Sequence, residues 1–76
     1  MYAVDITFKN GSKLEGLIWR WTPKKGVFEA LNESNGNIKS YKLQDVKEGK
    51  WYSDRVRKYS ECSDFIERAV ADGWKG

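Results

Sequence analysis

The stretch of residues 4–16 constrains the fold of this chain more than any other. Within it, apolar side chains at every second position run directly into Asn10-Gly11. Strict alternation is typical of a half-buried strand, and Asn-Gly is the strongest short hairpin signal because both residues tolerate a positive φ. The stretch therefore predicts a β-hairpin, with one strand over 2–8 and a second over 12–21.

The second predicted strand changes its apolar face near Gly16. Leu14 and Ile18 fall on one side of the strand, whereas Trp19 and Trp21 fall on the opposite side. A glycine at such a switch predicts a bulge or a sharp bend, which is how a sheet curls into a barrel. We therefore expect Trp19 and Trp21 to point in the same direction.

Turn-forming residues divide the following part of the chain into short segments. Proline fixes φ and glycine permits a positive φ, which is why both residue types mark turns. The predicted turns cover 22–26 and 32–37, a loop covers 45–50, and the predicted strands cover 27–31, 38–43 and 51–56.

The hydrophobic period changes after residue 58. The spacing of one helix face is shared by Cys62, Phe65, Ile66, Ala69 and Val70. Ser60 is the predicted N-cap, Gly73 the predicted stop, and Trp74 is expected to fold back on the last turn. The pattern predicts a helix over 61–72, with Cys62 as a small buried hydrophobe.

Two further patterns resemble those of known small barrels. The hairpin ending in Leu14-x-Gly16 resembles the opening of Sm-like and SH3-like barrels, and the segment 41–46 (Tyr-x-Leu-x-Asp-Val) is similar to one of their closing strands. The likeness covers residues 2–56. It implies a mainly β fold, a five-stranded SH3-like or Sm-like small barrel with one C-terminal α-helix. Many Sm-like proteins bind RNA, and SH3-like barrels bind peptides, nucleic acids or partner proteins.

The length of 76 residues indicates a single domain. Within it, we expect residues 1–58 to form the barrel and residues 59–76 to form a helix packed on it. Aromatic residues make up 14% of the chain, and each one that is buried removes roughly 150–250 Å² from water. A domain of this size can therefore build its core without disulfides or metals.

The composition argues against catalysis. One cysteine and no histidine exclude an internal disulfide and a Cys/His zinc site. No glycine-rich phosphate loop is present, and no serine or cysteine has a histidine base to activate it. The acidic residues are scattered among Lys and Arg, which is typical of a solvated surface. We expect no enzymatic activity, no metal and no cofactor.

The same composition favours a cytoplasmic protein. A single unpaired cysteine suits a reducing compartment. The alternating strand that follows Met1 at once does not resemble a signal peptide. No apolar run approaches the roughly 20 residues of a membrane span.

The first candidate site combines aromatic and basic residues around the end of the second strand. It consists of Trp19, Arg20, Trp21, Lys24 and Lys25. Aromatic faces stack on bases, and nearby cations neutralise phosphates. The alternative is that both tryptophans serve as core or cover, because a small barrel needs large residues.

The second candidate site interleaves cations with aromatic rings in the same way. It consists of Lys50, Trp51, Tyr52, Arg55, Arg57 and Lys58, with Lys47 just before them. This composition is typical of a nucleic-acid groove. The alternative is a solvated edge strand whose charges prevent pairing with other chains.

These observations favour a non-catalytic binding protein with nucleic acid as its partner. Residues 1–58 hold twelve Lys or Arg and seven Asp or Glu, whereas residues 59–76 hold two and four. The basic strand region therefore suits an anionic ligand. The alternative is a small protein-interaction module, an inhibitor or adaptor of the kind that phages direct at host proteins, because exposed Trp and Arg are also common hot-spot residues. A structural subunit that assembles through edge strands is a third option.

Overall fold

A computed structural model describes residues 2–55, 57 and 61–76 of the chain. Six antiparallel strands form one sheet in the order β4-β3-β2-β1-β5-β6. The elements are β1 (Ala3–Phe8), β2 (Lys13–Thr22), β3 (Val27–Asn32), β4 (Ile38–Lys42), β5 (Val46–Tyr52), β6 (Cys62–Asp64) and α1 (Phe65–Ala71), with 3-10 turns at Pro23–Lys25 and Leu43–Asp45. The predicted mainly β class with one C-terminal helix is confirmed. The described sheet has six strands rather than five, and within it no pairing of β4 with β6 closes a barrel.

The predicted first hairpin is confirmed. Ile6 pairs with Leu14 across β1 and β2, and Gly11 adopts a φ of 90° in the turn. The Oδ1 atom of Asn10 accepts hydrogen bonds from the backbone nitrogen and the hydroxyl of Ser12, at 2.9 and 2.7 Å. Local turn chemistry therefore fixes the register of the two strands.

A bulge in β2 overturns the expected directions of its tryptophans. Ile18 pairs with Ala30 and Arg20 pairs with Glu29, so Trp19 is an extra residue without a partner on β3. An extra residue inverts the alternation beyond it. Trp21 consequently packs against the core together with Ile18, while Trp19 faces outward.

Gly16 has a different role from the predicted face switch. It pairs regularly with Val4 on β1 and with Asn32 on β3. A Cβ atom at this position would lie 2.7 Å from the carbonyl oxygen of Leu31. Glycine is therefore needed because β2 and β3 approach closely here, and the bulge follows at Trp19.

The core lies between the inner face of the sheet and the helix. Its buried members are Val4, Ile6, Phe8, Leu14, Ile18, Phe28, Ala30, Leu43, Val46, Trp51, Phe65 and Ala69. The ring centroids of Phe28 and Phe65 are 5.3 Å apart in an edge-to-face arrangement. This contact joins β3 to α1, so the helix covers the sheet as the sequence predicts.

The start of the helix lies later than predicted. Asp64 is the N-cap, and its carboxylate accepts a hydrogen bond of 2.9 Å from the backbone nitrogen of Glu67. The preceding residues form β6 along β5, where Cys62 pairs with Tyr52. Cys62 is exposed, so its predicted burial is wrong. The predicted N-cap, Ser60, lies outside the described residues.

The end of the helix follows the prediction. Gly73 has a φ of 114°, a conformation that favours glycine at a helix stop. The backbone nitrogen of Trp74 donates a hydrogen bond of 2.9 Å to the carbonyl of Ala69. Trp74 thus folds back and packs against the core, whereas Val70, predicted on the buried stripe, is 55% exposed.

The strand β5 replaces a predicted loop. Residues 45–50 were expected to be irregular, yet Val46–Tyr52 pairs with β1 on one side and, in its last three residues, with β6 on the other. Gly49 is needed within the strand because a Cβ atom there would lie 2.8 Å from the carbonyl oxygen of Asp5. None of the helices in the described part of the chain is long and apolar enough to cross a membrane.

Candidate binding surface

Trp19 is the most exposed of the four tryptophans. Its exposed fraction is 52%, whereas Trp21 and Trp74 are half-buried and Trp51 is buried. The bulge in β2 is the direct cause, because it turns this one side chain away from the core. An exposed indole on a rigid strand offers a flat face for stacking.

Arg20 lies beside Trp19 in an open environment. Its Nε is 3.7 Å from Oε2 of Glu29, and 70% of its side chain is exposed. Exposed ion pairs of this kind contribute about 0–1 kcal/mol to stability. The guanidinium can therefore exchange Glu29 for another anion at little cost.

An apolar row crosses the outer face of the sheet close to Trp19. Leu17 pairs with Leu31 on β3, and Leu31 pairs with Ile38 on β4. Ile38 is 44% exposed at the edge of the sheet. Leu17 itself is buried, so the outer face of β2, β3 and β4 presents the indole of Trp19, the half-buried Leu31 and the exposed Ile38 beside cations.

The segment 17–44 carries the whole net charge of the chain. It contains five Lys or Arg and two Asp or Glu, and the remaining residues contain nine of each. Lys24, Lys25, Lys39 and Lys42 are exposed, and none of the four forms an ion pair with a residue that the structure describes. The positive potential of the protein therefore concentrates on β2–β4 and their turns. Lys39 and Lys42 are not among the predicted site residues, although both lie within two positions of Tyr41 on β4.

A cleft of about 490 Å³ joins three of the predicted site residues, Trp21, Lys24 and Lys25. The indole Nε1 of Trp21 donates a hydrogen bond of 2.7 Å to Asp72, which also lines the cleft. The centroid of the Trp21 ring lies 4.6 Å from that of Trp51. Trp21 is therefore an anchor of the fold with one edge at the surface, and the two lysines are the free groups of this cleft.

Trp51 belongs to the core. It is 2% exposed, and its ring lies between those of Tyr2 and Trp21, with centroid distances of 5.0 and 4.6 Å. The guanidinium of Arg68 lies 5.0 Å from its ring centroid. The expectation that Trp51 contacts a ligand is not compatible with this burial.

Arg57 is held by the protein itself. Its Nε donates a hydrogen bond of 2.9 Å to Oδ1 of Asp5, and its Nη2 lies 2.7 Å from Oε1 of Glu33. The same Nη2 donates to the backbone carbonyls of Val4 and Gly16 at 2.9 and 3.1 Å. Partial burial works to lower the pKa of Arg57, but the two carboxylates outweigh it and raise the pKa. The guanidinium is thus a clamp across β1, β2 and the end of β3, and it has few donors left for a phosphate.

Lys50 and Tyr52 line a groove of about 710 Å³ on the outer face of β1, β2, β5 and β6. The hydroxyl of Tyr52 donates a hydrogen bond of 2.9 Å to Oδ2 of Asp5. The pKa of Tyr52 is raised, mainly by partial burial of its hydroxyl and to a smaller extent by the carboxylate of Asp5. The charged lining consists of Asp5, Glu15, Glu48 and Asp64 against Lys13 and Lys50. The excess of acids makes this groove unfavourable for an anionic ligand.

The two remaining members of the second candidate site are Arg55 and Lys58, and no described contact links either of them to the surface around Trp19. Arg55 is exposed after the end of β5, and Lys58 lies outside the described residues. The structure therefore divides the predicted residues. Trp19, Arg20, Lys24 and Lys25 lie on or beside β2, whereas Trp51, Tyr52 and Arg57 hold the sheet together.

A comparison of this chain with protein-family models, curated proteins and solved structures found no match. Among the described residues, no group of three or more Cys, Asp or Glu side chains is arranged to hold a metal ion.

Proposed function

We propose that this protein is a non-catalytic nucleic-acid-binding domain that holds a single strand on the outer face of β2–β4. The observation that carries the proposal is the exposure of Trp19 within the segment 17–44, which holds the whole net positive charge. A base stacks on an exposed aromatic face whatever its sequence, and lysines along the strand neutralise the phosphates. In this arrangement Trp19 stacks and Arg20 contacts the backbone on the outer face. Lys24 and Lys25, which line the cleft beside Trp21 and Asp72, contact the strand where it passes the end of β2.

The proposal includes an SH3-like or Sm-like small barrel as the type of fold. Consecutive strands β1 to β4 pair in order, and β1 also pairs with β5. The bulge at Trp19 and the close approach at Gly16 bend β2, which favours a curled sheet over a flat one. These features support the resemblance that residues 2–56 show in sequence.

The test is a fluorescence titration of the protein with short single-stranded RNA and DNA at low and moderate salt. We expect Trp19 emission to be quenched on binding. If about three phosphates are contacted, the logarithm of affinity should fall with a slope near −2 against the logarithm of salt concentration, at roughly −0.7 per phosphate. Replacing Trp19 with Ala should weaken binding by about 1–3 kcal/mol.

A matched pair of double variants tests the charge assignment. Lys24→Ala with Lys25→Ala should weaken binding and flatten its salt dependence. Lys47→Ala with Lys50→Ala removes the same charge from β5. This control variant should leave the affinity and its salt dependence unchanged. Absence of binding to any oligonucleotide at low salt would contradict the proposal.

A protein partner is the second candidate, and the apolar row beside Trp19 is the observation that favours it. Ile38 is 44% exposed, and an exposed indole next to aliphatic side chains is typical of an interaction hot spot. Such an interface resists salt, because it depends on apolar burial rather than on phosphate contacts. A small inhibitor or adaptor would use the surface in this way.

A further inference from the structure

A second cleft lies between the first hairpin turn and β4. Its volume is about 560 Å³, and its lining consists of Phe8, Lys9, Asn10, Ser12, Ser40, Tyr41, Lys42 and Asp45. Lys42 belongs also to the basic segment 17–44, whereas Lys9 adds a cation from outside that segment. The lining combines two aromatic rings, two ammonium groups, three hydroxyls, an amide and a carboxylate. Aromatic rings beside cations are typical of sites that bind single-stranded nucleic acid.

Tyr41 is held in a fixed position by the core. Its ring stacks on Phe8 at a centroid distance of 5.3 Å and on Phe28 at 5.5 Å. The hydroxyl of Tyr41 forms no hydrogen bond with any residue that the structure describes. A ring that is already ordered loses little entropy when a ligand packs against it, and the free hydroxyl is available as donor or acceptor.

The wall opposite Tyr41 is rigid as well. The backbone nitrogen of Lys9 donates a hydrogen bond of 2.8 Å to the carbonyl of Asp45, which ties the hairpin to the second 3-10 turn. Asn10 and Ser12 are joined within the turn at 2.7 Å. The cleft is therefore formed before any ligand arrives.

The charges of the cleft favour a phosphate. Lys9 and Lys42 are exposed, and neither forms an ion pair with a described residue. Asp45 is the single acid in the lining, so one positive charge remains in excess. A phosphate in the cleft is attracted by two ammonium groups and repelled by one carboxylate, that of Asp45.

We infer that this cleft is a second nucleotide subsite, which takes a phosphate between Lys9 and Lys42 and a base or sugar against Tyr41. The inference rests on the proposed function, since the same strand would also occupy Trp19. Trp19 faces outward from β2, whereas Tyr41 on β4 packs against the core. The two strands are two strand spacings, or roughly 10 Å, apart across the sheet. Because β4 is an edge strand, a short oligonucleotide can pass around it from one site to the other.

The experiment compares an eight-residue oligonucleotide with a dinucleotide and a mononucleotide at low salt. The wild-type protein should bind the octamer at least about tenfold more tightly than the dinucleotide, because only the octamer reaches both sites. Lys9→Ala with Lys42→Ala should remove most of this gain and reduce the salt slope by about 0.7, the value for one phosphate. Lys13→Ala with Lys47→Ala is the matched control and should behave as the wild type.

A direct readout is the amide chemical shifts of Lys9, Tyr41 and Lys42, which should move on addition of the octamer. If the Lys9/Lys42 variant keeps wild-type affinity and slope while Trp19→Ala loses binding, the inference fails and the proposed function stands. If the wild type binds none of the three ligands, both fail. A mononucleotide that binds the cleft as tightly as the octamer would also overturn the inference, because the cleft would then hold a free nucleotide rather than part of a strand.

Discussion

The indole Nε1 of Trp21 donates a hydrogen bond of 2.7 Å to Oδ2 of Asp72, which follows 51 positions later in the chain. The same oxygen accepts a hydrogen bond of 3.1 Å from Nε of Arg68. The guanidinium of Arg68 in turn lies over the ring of Trp51. One carboxylate therefore fastens the end of α1 to β2, and Arg68 extends the connection to β5.

This carboxylate makes stability depend on acid pH. The hydrogen bond from Trp21, and then the one from Arg68, lower the pKa of Asp72 below its ordinary value of 3.8. A carboxyl group whose pKa is lower in the folded than in the unfolded protein stabilises the fold at pH values above its unfolded pKa. This stabilisation is lost as the pH falls through the folded pKa. We expect the free energy of unfolding to decline from about pH 5 downward partly through Asp72, and Asp72→Asn to lack that part of the decline. Urea unfolding at a series of pH values measures both, and parallel curves for the two proteins would contradict the assignment.

Arg57 is predicted to stabilise the sheet. Replacement by Ala removes the guanidinium from Oδ1 of Asp5, from Glu33 and from two backbone carbonyls, which should cost about 2 kcal/mol. Lys keeps the charge but lacks the planar fork, so Arg57→Lys should recover only part of the loss. Arg55→Ala is the matched control and should change stability by less than about 0.5 kcal/mol. Equal stabilities of the Arg57 and Arg55 variants in urea would show that the clamp contributes nothing.

Gly16 is predicted to be intolerant of any side chain. The Cβ atom of Gly16→Ala would press against the carbonyl oxygen of Leu31 at 2.7 Å, so β2 and β3 must separate, at a cost of about 1–3 kcal/mol. Gly36 provides the comparison, because it has open space around it and needs only a positive φ. Gly36→Asn should therefore cost much less. Thermal unfolding of the two variants distinguishes a steric requirement from a conformational one.

Cys62 is predicted to react freely in the folded protein. It is exposed on β6, so a thiol reagent should modify it at nearly the same rate with and without denaturant. Cys62→Ser should abolish labelling and leave stability within about 0.5 kcal/mol of the wild type. If Cys62 is labelled only after unfolding, its exposure in the folded protein is contradicted, and the burial that the helical spacing predicts is supported.

Elements set by local chemistry were predictable from the sequence. The turn at Asn10-Gly11 and the helix stop at Gly73 depend on residues that favour a positive φ, and both occur where the pattern places them. The helix start was misplaced because the apolar spacing continues back to Cys62. The signal that was missed is Asp64 followed by Glu67, an N-cap residue with an acid three positions later.

The functional surface was less predictable, because residues of the same type have opposite roles. Trp19 and Trp51 both sit among basic residues, yet a bulge exposes one and pairing with β1 and β6 buries the other. Arg57 resembles Arg55 in sequence, but its partner Asp5 lies 52 positions away. Contacts over such distances follow from the order of strands in the sheet, which the local pattern does not contain.

The bulge in β2 separates the interior of the protein from its most exposed ring. Because Trp19 has no counterpart on β3, its deletion would join Ile18 directly to Arg20 and restore regular alternation, with Trp21 still facing inward. A chain one residue shorter would keep the same hydrophobic interior. The exposed ring on β2 and the bend at the bulge therefore depend on one inserted residue, whereas the choice of side chains that face the core does not.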